Sequence, residues 1–189
     1  GRTGIIVPEL CLGTMTFGTQ TPEAEGHEQI DISLDAGLNF LDTAEMYPVN
    51  PISAETQGDS ERVVCTWLAK TGRRDDVIVA TKHSGNGWDH IRNKAGISAA
   101  SIPEAIDGSL ERLQTDYIDL YQLHWPDRGL SGFGMHSYND YDADDMVPLL
   151  EILETLQRHV EAGRIRHIGL SNESAWAMMK FAALAESHN

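Results

Sequence analysis

The chain has 189 residues, of which 41% are hydrophobic and 23% charged. That is ordinary for a globular domain and excludes disorder, collagen and coiled coil. Asp plus Glu number 29 against 14 Lys plus Arg, a formal charge of −15. This charge repels phosphate backbones and anionic bilayers, so neither nucleic acid nor a membrane surface is an expected partner. No apolar run of about 18 residues is present to cross a bilayer. The two cysteines, Cys11 and Cys65, form no CxxC motif and no disulfide framework, which fits a reducing cytoplasm.

Taken in chain order, the elements alternate. Leu10–Gly13 reads as a short buried strand. Thr21-Pro22 opens a helix, with Thr21 as cap and Pro22 in the first turn, Ile30 and Leu34 facing inward and Gly37 past its end. Leu38–Leu41 is the second strand. After a Pro- and Ser-bearing loop, Asp59 or Ser60 caps a helix whose inner face is Val63, Val64, Trp67 and Leu68. Val77–Ala80 is the third strand. Ser101-Ile102-Pro103-Glu104 has the capping-box pattern, and Ile102, Ile106, Ser109, Leu110 and Leu113 follow at helical spacing. Ile118–Leu123 is the fourth strand, followed by a long polar loop over 125–145. Met146–Ala162 is a helix with Leu149, Leu150, Leu153, Leu156 and Val160 inside. Ile165–Leu170 is the fifth strand and Ala175–Ala185 the fifth helix.

Strands alternating with helices imply a parallel sheet with helical crossovers, either doubly wound or a (β/α)8 barrel. A doubly wound nucleotide-binding sheet calls for GxGxxG after its first strand, whereas Gly13-Thr14-Met15-Thr16-Phe17-Gly18 has another spacing.

In either architecture the carboxyl ends of the strands open on one face. Asp42 and Tyr47 follow strand two, Lys82 strand three, His124 strand four, and Ser171 and Asn172 strand five. Singly, each has a plain structural reading as a turn, cap, surface or packing residue. Together they suit carbonyl chemistry. An ammonium at Lys82 lowers the pKa of Tyr47, Asp42 holds that ammonium, and His124 either donates to a substrate oxygen or shares a proton with Tyr47. Carbonyl reduction needs a hydride that no side chain supplies, so a nicotinamide cofactor is implied. Trp125 reads equally as an apolar substrate wall and as core packing. His83, His90 and His136 are expected in loops and lack the spacing of metal ligands. Asp140, Asp142, Asp144 and Asp145 lack the pattern of a calcium loop.

The segments Asn39–Tyr47, Ala80-Thr81-Lys82, Asp119–Pro126 and Gly163–Asn172 resemble, in order and spacing, the signatures of the aldo-keto reductases. Leu12–Gly18, Ala44–Val49 and Glu55–Gly58 are similar to the bacterial Tas-type subgroup. The resemblance implies a (β/α)8 barrel that reduces an aldehyde or ketone with NADP(H), NAD(H) being the other candidate. Tyr47 would be the acid, Lys82 and Asp42 its tuning pair, and His124 the residue orienting the substrate. Ser171 and Asn172 would bind the nicotinamide carboxamide, and Gly13, Thr14 and Met15 would line the cofactor beside Asp42. A full barrel needs about 250 residues. Residues 1–189 are therefore expected to form an incomplete barrel domain, its N-terminal portion with strands one to five, marginal on its own. Two rival readings are a regulatory subunit on the same fold, like a potassium-channel β-subunit, and a barrel lyase or hydrolase using Asp42 and Lys82. The oligomeric state and the carbonyl substrate are left open.

Overall fold

The computed structural model describes residues 3–128 and 147–188. Five strands and five α-helices alternate: β1 (Leu12–Gly13), α1 (Glu23–Asp35), β2 (Phe40–Asp42), α2 (Asp59–Thr71), β3 (Ile78–His83), α3 (Ser101–Leu113), β4 (Ile118–Leu123), α4 (Leu149–Glu161), β5 (Ile165–Leu170) and α5 (Ala175–Ser187). Most of the expected loop over 125–145, the expected helix start at Met146, His136 and the four late aspartates lie outside the described residues.

All strands are parallel, and their order in the sheet is their order in the chain. A doubly wound sheet reverses direction at a switch point, whereas a barrel adds each strand beside the last. The sequential order therefore selects the barrel arrangement of five consecutive βα units.

The core lies between the sheet and the helices. Val63, Val64, Trp67 and Leu68 of α2 are buried, as expected, against Phe17, Ile30 and Leu41. Trp67 is wholly buried, and its indole N–H donates to Asp31 Oδ1 at 2.9 Å, so its polar atom carries no desolvation cost. Burying a side chain such as Ile106 or Leu156 contributes about 1.5–3 kcal/mol. On α4 the buried residues are Ile152, Thr155 and Leu156. The leucines expected inside at 149, 150 and 153 are only partly covered.

Strand ends differ from the sequence expectation. β1 is only two residues long, and Leu10 stays exposed. β2 begins at Phe40 rather than Leu38 and runs on to Asp42. β3 starts one residue late and continues through Thr81, Lys82 and His83. Those polar residues are tolerated because each is partnered. Thr81 Oγ1 donates to Glu61 Oε1 at 2.6 Å, and His83 Nε2 pairs with Ser101 Oγ at 3.1 Å. His83 is thus a fully buried strand residue, not a loop histidine.

Helix starts differ as well. Thr21 does not cap α1: its hydroxyl pairs with Thr16 Oγ1 at 2.8 Å, and Pro22 is the cap residue. Gly58 precedes α2, while Asp59 and Ser60 lie within it. Ser60 Oγ donates instead to Phe17 O at 2.9 Å. Ser101 lies inside α3, and the reciprocal serine pairing is with Ser98. Ser98 N donates to Ser101 Oγ at 2.9 Å, and Ser101 N to Ser98 Oγ at 3.2 Å. Gly58 has φ +82, and a Cβ there would sit 2.3 Å from Arg112 Cδ. Only glycine fits both constraints.

Candidate active site

Period-two alternation along the strands sorts the polar residues by face. On β3, Thr81 and His83 meet the helices, as their partners on α2 and α3 show, and Lys82 points the other way. Lys82 pairs in register with Gln122, and Asp42 with Ala80 and Gly13. Three neighbouring strands therefore deliver Asp42, Lys82 and Gln122 to one place.

Lys82 Nζ donates to Asp42 Oδ2 at 2.6 Å and to Thr43 O at 2.7 Å. Gln122 Nε2 donates to the other carboxylate oxygen, Oδ1, at 3.1 Å. Gly169 makes this reach possible: a Cβ there would come within 2.9 Å of Gln122 Cγ. Gln122 was not among the expected residues. Its signal was present, since it lies two positions before His124 on the same strand face.

Tyr47 lies in the loop after β2. Its amide donates to Ala44 O at 3.0 Å, and its carbonyl accepts from Gly58 N at 2.9 Å and Ser60 N at 3.5 Å. The unsatisfied donors at the start of α2 thus hold the backbone of Tyr47. The Tyr47 ring lies 4.9 Å from Lys82 Nζ and 5.5 Å, edge-on, from the His124 ring. Trp125 stacks obliquely on His124 at 4.7 Å, and its indole N–H donates to Asn86 O at 3.1 Å. Asp42, Tyr47, Lys82, His124 and Trp125 therefore form one group.

The electrostatics reverse one expectation. Burial, with the Asp42 carboxylate second, pushes the Tyr47 phenol up to about 12. Lys82 does not pull it down, because its donors are directed at Asp42 and Thr43 and its charge is largely neutralised by the carboxylate. Burial lowers the Lys82 pKa against the opposing pull of Asp42. His124 is lowered to about 3, by burial first and the Lys82 ammonium second, so its imidazole is neutral at physiological pH. The site thus holds a protonated phenol and a neutral imidazole side by side.

The remaining residues surround this group. Thr14 is fully buried, and its amide and hydroxyl both donate to Asp42 O, at 3.0 and 3.1 Å. Thr14 therefore fixes β1 against β2. Its neighbours Gly13 and Met15 are exposed. At the end of β5, Ser171 N donates to Leu123 O at 2.9 Å. Asn172, at φ +54, donates from Nδ2 to His124 O at 2.8 Å and to Ser171 Oγ at 3.1 Å. Its amide oxygen is left as an acceptor beside His124. An amide oxygen that accepts and a hydroxyl that donates are the two kinds of group a primary carboxamide can pair with. Among the described residues, no group of three His, Cys, Asp or Glu side chains could hold a metal ion. No helix among them is long and apolar enough to cross a membrane.

Comparison with known proteins agrees with this fold. The chain is 47% identical to protein Tas of Escherichia coli over its whole length, covering 55% of that protein. It is 36% identical to the aldo-keto reductase YhdN of Bacillus subtilis, with 98% of this chain covering 50% of that one. The solved structure of aldo-keto reductase AKR11C1 from Bacillus halodurans, in its holo form, superposes with a TM-score of 0.73 at 33% identity, over 97% of this chain and 52% of that one. An aldo-keto reductase from Klebsiella pneumoniae, solved with NADPH, gives 0.66 at 30% identity, over 92% and 48% of the two chains. The chain thus spans about half the length of the curated relatives it matches. The sequence model of the aldo/keto reductase family matches residues 9–188, nearly the whole chain. With five parallel βα units in chain order, the chain belongs to the aldo/keto reductase family.

Proposed function

We propose that the protein reduces an aldehyde or ketone to an alcohol with NADPH, with Tyr47 as proton donor. The observation that carries this reading is the neutral Tyr47–His124 pair beside the buried Lys82–Asp42 ion pair. NADPH, when bound, supplies the hydride to the carbonyl carbon. The residues of this chain handle the oxygen. Tyr47, protonated far above neutrality, donates a hydrogen bond to the carbonyl oxygen and then its proton to the alkoxide. His124, neutral, donates a second hydrogen bond without surrendering a proton. Lys82, paired with Asp42 and 4.9 Å from the Tyr47 ring, packs against the donor and fixes its place. Asp42, gripped by both Lys82 and Gln122, holds that ammonium in place.

Asn172 and Ser171 would hold the carboxamide of the cofactor, and Gly13 and Met15, exposed next to Asp42, would face the rest of it. Trp125 would wall the substrate side of His124. The relative solved with NADPH supports the choice of cofactor. No observation here favours a regulatory subunit over an enzyme. The test is a titration of the full-length protein with NADPH, read by tryptophan quenching, followed by turnover with a panel of aldehydes and ketones. Saturable quenching and NADPH-dependent turnover are expected. A folded protein that does neither refutes the reading.

A further inference from the structure

Behind Tyr47 lies a buried ion pair that this chemistry does not use. Glu45, two residues before Tyr47, is 1% exposed. Its carboxylate accepts from Arg92 Nη1 at 2.6 Å, from Arg92 Nη2 at 2.8 Å and from Ser84 N at 2.5 Å. Arg92, with a side chain 8% exposed, also donates to Ser84 O at 3.1 Å. Ser84 stands two residues beyond Lys82. The backbone reinforces the link, because Glu45 N donates to Lys82 O at 3.4 Å. One planar fork thus ties the loop bearing Tyr47 to the strand end bearing Lys82.

The same fork anchors a third segment. Arg92, Asn93 and Lys94 all have positive φ, at +47, +51 and +62. Three consecutive L-residues in that region are strained and persist only where their surroundings over-determine them. On both sides of Arg92 this loop is clasped by the segment that follows β4: Asp127 accepts from Asn86 N at 2.6 Å and from Ile97 N, and Trp125 Nε1 donates to Asn86 O. The strained loop therefore runs from the Glu45 fork to the tryptophan packed on His124. A buried ion pair is a weak device for stability alone, since apolar replacements often serve as well. Its three connections point to geometry.

We propose that Glu45 and Arg92 are positioning residues, which set Tyr47, Lys82 and the Trp125 wall in register with one another. The proposal rests on Tyr47 being the proton donor. The variants are Arg92→Lys, which keeps the charge but not the fork, and the double Glu45→Gln/Arg92→Gln, which leaves no buried charge unpaired. Both are made in the full-length protein.

The readouts are kcat, KM, the NADPH dissociation constant, the solvent deuterium isotope effect on kcat, and amide hydrogen exchange over 43–49 and 84–97. A donor misplaced by about 1 Å loses on the order of a hundredfold in rate. The expected result is that loss in kcat for the double variant, with NADPH affinity and KM within about twofold of wild type and a larger isotope effect. Exchange speeds up in both loops but not in α3 or α4. Arg92→Lys recovers thermal stability without recovering kcat. Unchanged kcat in a folded double variant overturns the proposal, as does a loss shared equally by NADPH affinity. If the wild type itself turns over no carbonyl, the function reading fails instead. Unchanged exchange in the two loops then overturns the positioning on its own.

Discussion

Replacing His124 with Gln tests whether the imidazole is held neutral. In the folded chain, burial and the Lys82 ammonium hold His124 at about 3, against an ordinary value of 6.5. The folded value is depressed, so the unfolded state binds the proton first as pH falls. Stability due to the neutral imidazole is complete above about pH 6.5 and drains away as pH drops toward 3. Between pH 7 and pH 5 the unfolded chain gains about 2 kcal/mol from protonating this residue, and the folded chain gains almost nothing. The variant lacks that term. Urea unfolding of both proteins at the two pH values should show wild type losing about 2 kcal/mol more than His124→Gln. His83 and His159 are also depressed, chiefly by burial, but they are present in both proteins and cancel. Parallel losses in the two proteins would refute the buried neutral imidazole, and with it the view that His124 donates a hydrogen bond without releasing a proton.

Two further outcomes follow from the same geometry. Tyr47 is raised to about 12, so kcat/KM for reduction should stay level from pH 7 to pH 10. A fall by half at pH 10 would mean an unperturbed phenol. Gly58→Ala places a Cβ 2.3 Å from Arg112 Cδ at a backbone φ of +82, and Arg112 holds the buried Glu61 at 2.5 Å. The variant should lose about 2–4 kcal/mol in urea unfolding, and a loss under about 0.5 kcal/mol would contradict the close approach.

The order of elements and the convergence of the site were legible in the sequence because both rest on periodicity. β4 and β5 span the expected residues, and the inner face of α2 is buried as its spacing predicts. Asp42, Lys82 and His124 fall near the carboxyl ends of adjacent parallel strands, which brings them together without any further signal. What the sequence hid was partnership. Thr21, Ser60 and Ser101 have the composition of caps, yet each hydroxyl bonds a residue elsewhere. β3 seemed to end at Ala80, because the polar residues Thr81 and His83 become strand residues only once Glu61 and Ser101 are in place. Lys82 was expected to acidify Tyr47. Its charge goes to Asp42 instead, and burial decides the phenol. Glu45 and Arg92 are separated by the whole of α2 and β3, and no spacing rule connects them.

The most direct test of the account is Tyr47→Phe, which removes one hydroxyl from a ring whose packing is otherwise unchanged. A positioned general acid contributes about 10²–10⁴-fold to the rate. The account predicts that NADPH-dependent carbonyl reduction falls by at least about a hundredfold while NADPH still quenches tryptophan fluorescence as in wild type. Turnover within a few-fold of wild type would contradict it and place the proton donor elsewhere.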